Sequence, residues 1–181
     1  VAAINSRKPV LGFAAWSGTG KTTLLTQVIP MLREQGVRVA MIKHAHHKFD
    51  VDKPGKDSYE LRKSGASQML ICSSRRFALM TDFEEEREPL LSEYLGQLNM
   101  DSCDLVLVEG FKHESFPKIE LHRPSVGKPL ICPDDDSIMA VATDEPDAIS
   151  VSVDLLPLNE PEAITAYIMH WHANQNIESE L

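Results

Sequence analysis

Ala15-Trp-Ser-Gly-Thr-Gly-Lys-Thr22 decides the fold. The stretch has the spacing of a Walker A phosphate loop, with Ala in place of the first glycine. Gly18 and Gly20 let backbone amides curl around an anion, and a helix opening at Lys21 aims its positive end at the same point. Lys21 is placed to reach β- and γ-phosphates, and Thr22 to put its hydroxyl on Mg²⁺. The flanks agree with this reading. Val10-Leu-Gly-Phe-Ala-Ala15 is a short apolar run, the pattern of a strand buried on both faces of a parallel sheet. After the loop, Leu24, Leu25, Val28, Ile29 and Leu32 recur at helical spacing before the stop at Gly36. Pro30 inside that pattern predicts a bend or an early end. With a second strand over 37–43, the order is strand, loop, helix, strand, the unit of an α/β fold.

Working outward, 44–56 reads as a polar loop, and Asp57-Ser-Tyr-Glu60 as the capped start of a short helix ending near Gly65. Two short strands, 67–72 and 77–80, flank a turn at 73–76, the outline of a hairpin. A helix is predicted over 89–98, and strands over 104–109, 118–122 and 138–142. The stretch 123–136, rich in Pro and Asp, is the longest irregular segment. Asn159-Glu-Pro-Glu162 reads as a capping box leading a final helix through Ile164, Tyr167, Ile168 and Trp171. No linker separates halves of domain size. The expectation is one domain over 1–181, frayed at 1–8, with a mostly parallel, doubly wound sheet, flanking helices and the fold of phosphate-loop NTPases.

Composition narrows the partners. Among 181 residues, 18 Lys and Arg face 27 Asp and Glu, a formal charge of −9. Bulk nucleic acid and anionic membrane surfaces are poor partners for such a chain. A few amides and one lysine can still hold a nucleotide. No apolar run approaches the ~20 residues of a membrane span. Cys72, Cys103 and Cys132 are odd in number and widely spaced, which reads as reduced cytosolic thiols.

Three further segments carry candidate chemistry. Asp104-Leu-Val-Leu-Val-Glu-Gly110 has the form of a Walker B strand, so Glu109 is the candidate carboxylate for Mg²⁺ or for the attacking water. The segment from Lys43 to Ser58 opens where ligands gather in doubly wound sheets. It reads as a switch loop bringing Asp50 or Asp52 toward Mg²⁺ and Lys53 or Lys56 toward an anionic substrate, or as a metal site built from His44, His46 and His47. No Asn-Lys-x-Asp sequence occurs, but Thr143-Asp144 falls where such an element would lie, and Asp144 could accept hydrogen bonds from a guanine edge.

Taken together, 14–23, Ile-Lys-His-x-His-His at 42–47, the block 50–63 and Leu-Val-Glu-Gly-Phe-Lys-His at 107–113 closely resemble the molybdopterin-guanine dinucleotide biosynthesis protein B (MobB) family. The 42–63 block is the specific signature, and the resemblance covers most of 9–175. It implies a cytoplasmic GTP-binding protein with weak GTPase activity, working as a homodimer beside MobA, the enzyme that transfers GMP onto molybdopterin. On that resemblance Ser17, Gly18, Thr19, Gly20, Lys21, Thr22 and Thr23 bind the nucleotide. Lys21 and Glu109 serve hydrolysis, Thr22, Asp52 and Glu109 hold the metal, and Asp144 reads the base. A small-molecule kinase and a metal-delivering GTPase using the three histidines are the alternatives.

Overall fold

The computed structural model describes residue 4, residues 6–45 and residues 49–178, with side chains as far as residue 175. In chain order the elements are β1 (Val10–Ala15), α1 (Lys21–Glu34), β2 (Val39–Lys43), α2 (Asp57–Lys63), β3 (Gln68–Cys72), β4 (Phe77–Thr81), α3 (Leu91–Leu95), β5 (Leu105–Glu109), β6 (Lys118–His122), β7 (Ile138–Thr143), β8 (Asp154–Pro157) and α4 (Pro161–Glu178). They form two compact units. One holds residues up to His44 together with those from Leu90 onward, and the other is Ala45–Pro89.

In the larger unit six strands pair in the order β2-β5-β1-β6-β7-β8, every neighbour parallel. β1 is central and apolar on both faces. Leu11 and Phe13 point to one side, where Leu24, Leu25, Val28 and Leu32 of α1 and Ile164 and Ile168 of α4 close the main core. Val10 points to the other, against Leu91 and Leu95 of α3. Each such side chain taken from water contributes about 1.5–3 kcal/mol, so the helical stripe read from the sequence is also what fixes α1 to the sheet. Gly12 is set by packing, since a Cβ there would fall 2.6 Å from Phe116 Cε2. Because all strands run the same way, their C-terminal ends open along a single edge. The loop after β1 leaves that edge between β5 and β6, at the reversal of strand order where ligands bind in such sheets.

Several sequence expectations change in detail. α1 runs through Pro30 to Glu34 and does not end early. Pro30 lies on the exposed face, so the carbonyl it frees is open to water. The helix expected over 89–98 shrinks to five residues, its first amide Leu91 N donating to Glu114 Oε1 at 2.7 Å. β8 was not foreseen; it is four residues long at the sheet edge and ends in Pro157, a residue edge strands tolerate. Asn159 does not cap α4; its side chain accepts from Arg123. At the N-terminus, Ile4 packs against the α3-side core and Arg7 pairs with Asp101, while positions 1–3 and 5 lie outside the described residues.

The smaller unit carries α2 and the antiparallel hairpin of β3 and β4. Asp57 is the first residue of α2 and not its cap; that place belongs to Lys56, while Glu60 accepts from Gly55 N at 3.1 Å. Arg62 is buried and holds the unit together, donating to Asp50 at 2.6 Å, Asp52 at 2.7 Å and Asp82 at 3.0 Å.

Candidate nucleotide-binding site

The loop between β1 and α1 has the backbone that anion binding requires. Gly18 and Gly20 sit at φ 86° and 97°, in the left-handed region that glycine enters without strain. Gly20 precedes α1 with no side chain capping the helix, and no acidic residue stands in the first turn. The early amides of a fourteen-residue helix are thus left to an anion. Ser17, Gly18, Thr22 and Thr23 are exposed there. Thr19 is buried, its hydroxyl donating to Trp16 O at 2.8 Å, so it braces the loop and leaves only its backbone for a ligand. Trp16 is itself pinned, its indole N–H donating to Pro129 O at 2.8 Å.

Glu109 ends β5 beside the loop. Its Oε1 lies 3.5 Å from Lys21 Nζ and its Oε2 3.2 Å from Lys43 Nζ, so one carboxylate is shared by the loop lysine and the last residue of β2. The chain then turns through two consecutive left-handed residues, Gly110 at φ 98° and Phe111 at φ 52°. For a phenylalanine that conformation is uncommon and costs free energy, and such strain concentrates at working sites. It is held by packing, with the Phe111 ring 5.1 Å from His44 and 6.3 Å from Tyr94. A Cβ on Gly110 would meet His44 Cβ at 2.6 Å, so the ends of β2 and β5 touch through a glycine.

The other side of the edge is built from β6, β7 and β8. Asp144 follows β7 directly. One of its oxygens accepts from Arg123, and the other, Oδ1, is buried with no hydrogen-bond partner. Arg123 follows β6 and also donates through Nε to Thr19 O at 2.9 Å. A cleft of about 400 Å³ opens beside Asp144. The irregular stretch 123–136 is anchored by the polar face of β6. Buried Glu120 accepts from Ile131 N and Cys132 N, both at 2.8 Å, and buried Lys118 donates to Asp135 at 2.9 Å. Burial pushes the Glu120 carboxyl above its ordinary range despite those two amides. Burial acts the same way on Asp135, but Ser137 and Lys118 outweigh it and bring its carboxyl below the usual range.

The remaining expected residues belong to the smaller unit or lie outside the described residues. Asp52 belongs to the smaller unit, where the Arg62 guanidinium holds its carboxyl below the usual carboxylate range. Arg62 itself is engaged by three aspartates. His46 and His47 lie outside the described residues, and among the described residues no three His, Cys, Asp or Glu side chains are grouped to hold a metal. Sequence reading missed Arg123 and Asn159, whose place is set by contacts 104 and 36 residues away in the chain. Nor is any helix among the described residues long and apolar enough to cross a membrane.

A glycine loop at the switch point of a parallel sheet, a lysine opening the following helix and a carboxylate ending the adjacent strand define a phosphate-loop NTPase fold. The family model for molybdopterin guanine dinucleotide synthesis protein B matches residues 10–144. The chain is 48% identical to the molybdopterin-guanine dinucleotide biosynthesis adapter protein of Escherichia coli over 93% of its own length and 95% of that protein. It is 43% identical to the protein of the same name from Haemophilus influenzae, over 93% and 92%. A crystal structure of molybdopterin-guanine biosynthesis protein B matches with a TM-score of 0.69 and 28% identity, covering 90% of this chain and 99% of that one. The chain belongs to the MobB family.

Proposed function

We propose that this chain is a GTP-binding adapter for molybdopterin-guanine dinucleotide formation. The adapter role rests on the family and on two relatives that carry it in their names. GTP binding rests on one arrangement, the Gly18–Thr23 loop with Lys21 at the helix end and Glu109 3.5 Å from its ammonium. The uncapped helix start and the left-handed glycines fit a phosphate, and Asp144 fits a base that donates. Mg²⁺ fits the oxygen donors Thr22 and Glu109, where it would neutralise charge between the phosphates. Asp52, the third residue expected at the metal, is paired with Arg62 inside the smaller unit. Hydrolysis is expected to be slow, because Lys43 and Lys21 already neutralise the carboxylate that would orient water.

The smaller unit supports a homodimer. Among the described residues, eight of the ten most exposed large apolar side chains fall between Phe49 and Phe83. On the hairpin, Leu70, Cys72, Phe77 and Leu79 share one exposed face. A two-stranded hairpin is marginal in water unless something packs on it. MobA guanylyltransferase is the partner enzyme in this reading, molybdopterin a possible cargo, and the cytoplasm the compartment.

Affinity capture from an extract, with and without a non-hydrolysable GTP analogue, tests the reading. Nucleotide-dependent recovery of the guanylyltransferase is the expected result. Recovery indifferent to the analogue, together with no GTP binding by calorimetry, would overturn it.

A further inference from the structure

Resting on the GTP reading, we infer that Arg123 is a positioning residue that presents Asp144 to the guanine edge and ties it to the phosphate loop. Three strands deliver the parts. His122 of β6 is paired in register with Thr143 of β7, and Thr143 with Pro157 of β8, so Arg123, Asp144 and Asn159 emerge side by side. One guanidinium spans all of them: Nε donates to Thr19 O at 2.9 Å, Nη1 to Asp144 Oδ2, and Nη2 to Asn159 Oδ1 at 2.9 Å. Its donors lie in one rigid plane, which a lysine could not reproduce.

The consequence lies in what is left over. With Oδ2 held by Arg123, Asp144 keeps one oxygen, Oδ1, buried and without a donor from the protein. Such an acceptor costs stability until a ligand supplies the hydrogen. The adjoining cleft is lined by Thr143, Asp144 and Asn159 with Pro146, Leu156 and Leu158, apolar walls suited to a planar ring around one polar reader. A carboxylate only accepts. Guanine offers N1–H and the 2-amino group on one edge, whereas adenine presents a bare N1 there. The sequence lacks Asn-Lys-x-Asp, and Arg123 supplies from a neighbouring strand the link between base reader and phosphate loop.

Calorimetry on the full chain with the Mg²⁺ complexes of GTP, XTP and ATP tests this. Asp144→Asn should weaken GTP at least about tenfold and make XTP the better ligand. Arg123→Ala should lower the GTP to ATP preference at least about tenfold, with Arg123→Lys intermediate. Because Arg123 acts through Asp144, Arg123→Ala with Asp144→Ala should match Asp144→Ala alone within about twofold for GTP. Equal losses of GTP and ATP in both Arg123 variants, or additive losses in the double variant, would overturn the inference and leave the GTP reading intact. A wild-type chain that binds no nucleotide would overturn the GTP reading itself.

Discussion

At the residue scale, Glu109 divides its two oxygens between the loop lysine and Lys43, and this predicts two different phenotypes. Lys21→Ala removes the cation proposed to meet phosphate but breaks only a partly exposed pair, so nucleotide affinity should fall roughly 100-fold or more. Circular dichroism should show the fold retained. Glu109→Gln leaves both lysines without their carboxylate. Binding should hold or tighten, while single-turnover hydrolysis slows by roughly tenfold or more. Parallel losses in both measurements would mean that Glu109 acts chiefly through the metal or the fold.

At the element scale, β6 shows how a strand can be buried and charged at once. Ile119 and Leu121 belong to the main core, while Lys118 and Glu120 bond to the irregular stretch that follows, and His122 is buried too. Glu120→Ala would leave two part-buried amides without their acceptor, and each lost partner costs up to about 1–3 kcal/mol. A lowered thermal midpoint with faster proteolysis confined to 123–136 is the expected readout. That stretch read as plain loop because its anchors are scattered through the chain. The loop–helix junction, β5, β6 and β7 were legible because each is a continuous apolar or patterned run next to a turn signal. β8 was not, since it is short and carries Asp154 and Pro157. Asn159 looked like a cap from its neighbours, and only the arrival of Arg123 on another strand reassigns it.

α2 sets a pH dependence of its own. Asp52 is held below its ordinary range in the folded chain, first by its hydrogen bond to Arg62. A depressed carboxyl stabilises the native state above its unfolded value, about 3.9, and that contribution is lost as pH falls through the folded value. The smaller unit should therefore lose amide-exchange protection below about pH 4. Asp52→Asn should weaken that protection at neutral pH and flatten its acid dependence.

At the scale of the whole molecule, the exposed apolar face of the hairpin predicts self-association. Sedimentation velocity should show a dimer for the native chain and a monomer for the combined Phe77→Lys and Leu79→Lys variant, both lysines on the same face. A monomeric native chain would remove the dimer from the proposal. Trp16 adds an optical consequence. Of two tryptophans, Trp171 packs against the core, while Trp16 stands in the phosphate loop with the ammonium groups of Lys112 and Lys128 5.4 and 5.8 Å from its ring. Indole emission responds to nearby charge, so a triphosphate drawing those lysines toward it should change the fluorescence of Trp16. The molecule carries its own dye at the mouth of the site, and Trp171→Phe would leave that signal alone in the spectrum.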